Sequence, residues 1–488
     1  MTTETNPLLQ LPVQANRHRP NANAILILVF IIAITIDFGD YLSVTPRTQI
    51  LENIICHNFH PDAAANSSTC KDADVQRELA LINGWKDTFD QLPGIILALP
   101  FGFMADRVGR KKVLMLSLFG LMMQEGAVRV ICWNSRTISP RVVWFTSLFQ
   151  ICGGGSQIAT SMAFTIMTDI FPVEKRTNKF FLIASGSLVA DIVANPISAW
   201  LMTISPWLPY LLSMGTEIVG VLAALAIPET LPKTLDEEED STTQSAADSD
   251  GVENVVDDNG NGQAGMFKTF FHPAATQMLH LRDFIWSDRN VLAISVAFFA
   301  ANAGQQSLNL MLQYASKRFS WSMGEASILK SIKGAINLFL LLLVLPAISH
   351  LLNHHFPPAK RDLLIARVSA SFLVLGLTLM GLASHPAPFV TGVSVMALGW
   401  GFTSALRSVA SATVSDAQIG LLNTTIALVQ GVGGVFASPA LAGAFNYGLG
   451  VGGGWVGLPF LVAAVLFGVS GGVAGVVRVG GGRGAVHL

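Results

Sequence analysis

Residues 102–112 read GFMADRVGRKK, a short polar stretch wedged between two long apolar runs. Gly102 and Gly109 predict a sharp reversal with close backbone approach, because a residue without Cβ enters conformations barred to others. Asp106 stands where it would cap a helix start or pair with a nearby arginine. Arg107, Arg110, Lys111 and Lys112 crowd four cations into the same turn. Loops of this charge are held on the cytoplasmic side of a bilayer. The stretch therefore predicts a helical hairpin that crosses a membrane twice and turns through a cytoplasmic loop.

A crossing helix needs about 20 mostly apolar residues to cover the hydrocarbon layer. Measured outward from the loop, twelve runs qualify: 24–45, 84–104, 113–132, 142–166, 180–203 and 207–228, then 290–312, 326–348, 363–383, 389–410, 420–443 and 455–477. The composition agrees. Of 488 residues 51% are hydrophobic and 13% charged, with mean hydropathy +0.51, against about 25% charged in a soluble domain. The first run starts behind a polar leader and exceeds a signal-peptide core, so it reads as a retained helix. Between runs six and seven, residues 231–265 hold ten acidic residues against one lysine. Such a segment buries too little apolar surface to offset its ordering entropy and is expected to be a disordered linker. Residues 266–289 mix aromatics with His and Arg like an interfacial stretch.

These readings predict an all-α membrane protein of twelve transmembrane helices in two pseudo-symmetric six-helix bundles. Its expected parts are a cytoplasmic leader (1–23), a first bundle (24–228), an acidic cytoplasmic linker (229–289), a second bundle (290–477) and a cytoplasmic tail (478–488). Placing both termini inside puts the basic clusters at 107–112 and at Lys175, Arg176 and Lys179 on the inner face.

Other function classes find little support. The net charge of -2 gives no basic field for nucleic acid. Four cysteines without a Cys/His cluster offer no metal site, and no cofactor is expected. No G-x4-G-K-[ST] sequence is present for a nucleotide pump. Ser327 and Lys330 have S-x-x-K spacing at chance level, and His350 and His354 lack a third ligand. No enzyme is expected.

The outer loop at 46–83 contains Cys56, Cys70 and the acceptor sequence beginning at Asn66. On an outer face Cys56 and Cys70 suit a disulfide and Asn66 a glycan; two free thiols and an unused acceptor are the alternative.

The 102–112 stretch resembles the signature loop of the major facilitator superfamily, G-x-L-A-D-R-x-G-R-K-x-x-L. The match runs through Leu114, with Met104 at the leucine position. Pro228-Glu229-Thr230 at the end of run six, and Asp169 followed by Arg176 after run four, extend it. Asp37-Phe-Gly-Asp40, Pro46-Arg47, residues 84–93, the Gly153–Gly155 triplet and Gln313-Tyr314 are similar to fungal members related to the proton-coupled folate transporter family. Two departures weaken an analogy with drug antiporters. Phe149 stands where many carry an arginine in span four, and the span-five antiporter pattern survives only as Gly186, Asn195-Pro196 and Ala199. The resemblance implies a secondary transporter in which Gly102, Asp106, Arg107, Gly109, Arg110 and Lys111 form a gating loop.

Ionisable residues inside spans carry the functional signal, since each costs about 2.5–3.5 kcal/mol or more at the bilayer centre unless it faces a cavity or a partner. Asp37, Glu125, Asp191 and Glu217 fall near the midplane of spans one, three, five and six. Asp37, Asp191 and Glu217 are the proton-coupling candidates, with permanent pairing to a base as the alternative for the last two. Asp40 shares a face with Asp37, and Arg129 lies one turn from Glu125, placed to neutralise it. Asp40, Glu125, Arg129, Gln305, Gln306, Asn309 and Lys333 are the substrate-binding candidates. Helix-to-helix hydrogen bonding would equally explain the amides, and snorkelling to the outer headgroups would equally explain Lys330 and Lys333.

The expected function is proton-coupled movement of a small organic molecule by alternating access, with export of a metabolite, drug or toxin preferred. Uptake of an organic anion or nutrient is the alternative, and a nutrient sensor that does not transport is a third class. The expected partners are the substrate, protons and the lipid bilayer, with no nucleic acid and a monomer as the working unit. The plasma membrane is the expected site; Glu4, Leu8 and Leu9 have the spacing of a sorting signal to the vacuolar membrane.

Overall fold

The computed structural model describes residues 22–62, 68–230, 281–286, 288–353, 355–414 and 418–476. Residues 1–21, Asn66, the acidic linker at 231–265, His354 and the tail lie outside this set. All regular structure among the described residues is helical. Eleven helices are long and apolar enough to cross a bilayer.

The twelfth, span four, is broken in two. Residues Pro140–Cys152 form a 3₁₀ helix and Gly155–Ile170 an α-helix. The join is Gly153-Gly154-Gly155, where Gly154 and Gly155 have φ of 76° and 78°. A Cβ at Gly153 would sit 2.4 Å from the backbone of Leu116 and Ser117 in span three. Ser117 Oγ donates to the Gly153 carbonyl at 2.5 Å. The triplet thus lets span four press its backbone onto span three, and a continuous α-helix over 142–166 is corrected to a bent pair of segments.

The outer loop at 46–83 is also corrected. Span one continues to Phe59 through Pro46, and span two already begins at Ala73. Polar residues there are helical because they satisfy one another. Gln76 and Gln49 both donate to Glu52, at 2.5 and 3.0 Å, and all three side chains are buried. Between the helices the described residues include a 3₁₀ turn at Ser68–Lys71, which a Cys56–Cys70 disulfide ties to span one.

Span two (Ala73–Val108) meets span three (Arg110–Trp133) across the single residue Gly109, at φ 117°. A side chain added at Gly102, by contrast, would meet nothing within 4 Å, so the close approach expected there does not occur.

Span one packs on spans five (Val173–Met202) and six (Trp207–Leu225). In the second half, span nine (Pro358–Leu382) packs on spans ten (Pro386–Ser411) and twelve (Gly453–Gly475). Span seven (Arg289–Phe319) packs on spans eleven (Ile419–Val451) and twelve. The halves meet through span two on span eleven and span five on span eight (Met323–Leu352). One apolar core runs through both halves and includes Cys56 and Cys70. A separate core, around Ile25, Phe101, Leu114, Ile166 and Ile227, belongs to the first half at the Gly109 end. The halves are therefore joined from mid-span to the disulfide end.

Candidate functional site

Between the halves lies a cavity of about 460 Å³, within the size range of small-molecule sites. Its first-half wall carries six carboxylates: Asp37 and Asp40 from span one, Asp87 and Asp90 from span two, Glu125 from span three and Glu217 from span six. Asp37 and Asp40 are three residues apart, as are Asp87 and Asp90, so each pair presents one helix face. The second half contributes Asn309, Leu312 and Lys330.

Three of these carboxylates are held by cations. Arg47 reaches Glu125 at 3.1 Å, and Arg129 bridges Glu125 at 3.3 Å and Glu217 at 3.5 Å. Arg129 also donates to the Tyr210 carbonyl at 3.1 Å and to Ser213 Oγ at 2.7 Å, and it lies over the Tyr210 ring. Buried Lys86 reaches Asp90 at 2.5 Å. Gln124 donates to the other Asp90 oxygen at 2.7 Å and itself accepts from Gln150, in the 3₁₀ segment that leads into the glycine break in span four. Charges this far from water are retained because each has a charged or hydrogen-bonding partner.

Among the described residues no ion pair reaches Asp37, Asp40 or Asp87. Ser187 lies near Asp37. Asp87 accepts from Asn309 at 2.8 Å, a bond between the halves. Lys330 likewise has neither ion pair nor hydrogen bond among the described residues.

The structure thus brings Asp37, Asp40, Glu125, Glu217 and Asn309 together at one cavity. Other candidates stand elsewhere. Asp191 pairs with Lys333 at 3.8 Å across the halves and accepts from Asn195, so neither lines the cavity, and the lysine lies 5.3 Å over Trp400 instead of snorkelling outward. Arg129 sits behind the wall. Gln305 and Gln306 are outside the lining, and Gln306 bonds Asn302, Asn309 and Ser438. Lys86, Asp87 and Asp90 line the cavity and are not among the candidates read from the sequence. Starting span two at residue 84 puts them at its rim, whereas the start at Ala73 carries them to mid-helix. Their spacing, which repeats that of Asp37 and Asp40, was the available signal.

At the Gly109 end, Asp106 pairs with Arg110, which also reaches Asp169 of span four at 3.4 Å. The Arg110 backbone N–H donates to Glu229 at 2.9 Å, and Lys111 donates to the Leu225 carbonyl at 2.7 Å. Arg107 is exposed. The loop therefore ties spans two, three, four and six of one half together.

The sequence from 76 to 438 matches the model of the Major Facilitator Superfamily. The chain belongs to the major facilitator superfamily. It is 33% identical over 470 residues to the efflux pump ustT of Aspergillus flavus, covering 93% of this chain and 88% of that one. It is 31% identical over 461 residues to the MFS efflux pump atnC of Emericella nidulans, covering 91% and 85%. Among solved structures, the human organic anion transporter MFSD10 (TETRAN) superposes with TM-score 0.57 at 14% identity, over 93% of this chain and 100% of that one. A superfamily fold of two six-helix bundles around a central cavity accounts for the helix order and the seam described above.

Proposed function

We propose that this superfamily member exports a small organic molecule in exchange for protons, by exposing the central cavity to the two sides of the membrane in turn. The observation that carries the reading is the set of three carboxylates, Asp37, Asp40 and Asp87, that face the cavity in no ion pair among the described residues. A carboxylate so placed is neutral or charged according to which side the cavity opens to, because desolvation disfavours the charged form and water restores it. A proton and a bound substrate then compete for the same groups, which makes entry of one the release of the other. The relatives named as efflux pumps support the direction.

In this reading the Gly109 end, with its cations, is cytoplasmic, and the membrane is the plasma membrane. The cavity is then reached from the cytoplasm, and the seam at the disulfide end is the closed outer gate. Lys71, in the turn beside Cys70, donates to the Trp321 carbonyl at 2.5 Å, and Lys317 donates to the Lys71 carbonyl at 2.5 Å. Export requires those bonds to part as the bundles rock.

The test is proton movement in proteoliposomes of the full chain, with organic ions and amphipathic metabolites added outside. Proton release into the medium supports exchange, and alkalinisation indicates symport and uptake. Transport without proton movement, unchanged in Asp37→Asn, overturns the coupling.

A further inference from the structure

The two walls of the central cavity carry opposite sign. Among the described residues, Asp37, Asp40 and Asp87 face it from the first bundle in no ion pair, and Lys330 faces it from the second in no ion pair or hydrogen bond, close enough to Asp40 and Asp191 to be attracted by both. The first bundle's own cavity cations are already matched in charge, Arg47 by Glu125 and Lys86 by Asp90, although the buried Arg47 Nε–H has no hydrogen-bond partner among the described residues. We infer that the cavity takes a dipolar organic molecule, one that carries an ammonium toward Asp37, Asp40 and Asp87 and a carboxylate toward Lys330. This rests on the export reading above.

The argument is one of charge satisfaction. A cation alone would answer the acidic wall and leave Lys330 unpaired in a cavity that the ligand itself dries. An anion alone would answer Lys330 and face three carboxylates. A neutral molecule would leave both walls unpaired, and an uncompensated charge away from water is costly. A molecule with both charges satisfies both walls. Leu118, Leu121, Met122 and Leu312 supply apolar surface for the rest of the ligand. Export by exchange follows from the same geometry, since protonating the acidic wall removes the partners of the ammonium.

The probe is Nε-dansyl-lysine in four forms: free (dipolar), methyl ester (cation), Nα-acetyl (anion) and doubly blocked (neutral). Binding to the full chain in nanodiscs is read by dansyl fluorescence. The dipolar form is expected to bind about tenfold tighter than the ester and more tightly still than the other two, on the scale of one charge pair each. Lys330→Gln should erase the gap between dipolar form and ester, Lys330→Arg should keep it, and Asp87→Asn should weaken both. Binding of the anion or neutral form as tight as the dipolar one overturns the inference. So does binding of none at millimolar concentration, or a gap that survives Lys330→Gln. Proteoliposomes separate this from the export reading. A blocked probe that moves protons leaves export standing and removes the dipolar requirement. A dipolar probe that binds tightest yet moves no protons keeps the requirement and removes the coupling.

Discussion

Arg129 does most to hold the first bundle's polar interior, with bonds to Glu125, Glu217, Tyr210 and Ser213. Replacing it with leucine strands Glu217 and leaves Glu125 to Arg47 alone, and removal of one partner from a buried network costs about 3–5 kcal/mol. Arg129→Leu is therefore expected to lower the melting temperature of purified protein severely at neutral pH. Asp106→Asn is a contrasting case. Its carboxylate is mostly exposed, at 62%, and Arg110 keeps Asp169 and the Glu229 cap. An exposed pair of this kind is worth about 0.5 kcal/mol. The variant should melt within a degree or two of the parent, and its effect should fall on transport rate. A rate equal to the parent's would leave the loop a topological feature alone.

At the scale of elements, the glycine break in span four and the disulfide turn set local geometry. Gly153→Val places side-chain atoms against the Leu116 and Ser117 backbone. Overpacking costs about 1–3 kcal/mol, and here it also pushes Gln150 off Gln124, so loss of transport should exceed loss of stability. Measured transport scaled to folded protein checks this. The Cys56–Cys70 bond closes a loop with a separation of 14 residues, for which the chain-entropy contribution is about 3 kcal/mol. Cys56→Ser should melt like the parent under reducing conditions and below it otherwise. Neither element was legible as built. Span four was read as one helix because hydropathy does not register a 3₁₀ segment, and 46–83 as a loop because its polar residues bond one another.

For the whole molecule, the seam at the disulfide end decides which side the cavity faces. Lys71 and Lys317 each donate to a backbone carbonyl there, and burial holds the Lys71 ammonium below its usual range, with Glu52 and Glu325 opposing. Lys71→Ala should loosen the closed end and raise maleimide labelling of a cysteine placed at Asn309 from that side; unchanged labelling would show that other contacts keep it shut. What the sequence by itself determined was the helical membrane class, the approximate place of each span, the signature loop and the acidic face of span one. Those are local properties, set by apolar content over about 20 residues and by short spacings. Only the tertiary structure decided that Asp191 belongs to Lys333 and Glu217 to Arg129. It also decided that Asp87 and Lys330 face the cavity. The physical reason is that an ion pair depends on which helix faces meet, and these faces come from spans as many as 243 residues apart, from Asp87 to Lys330.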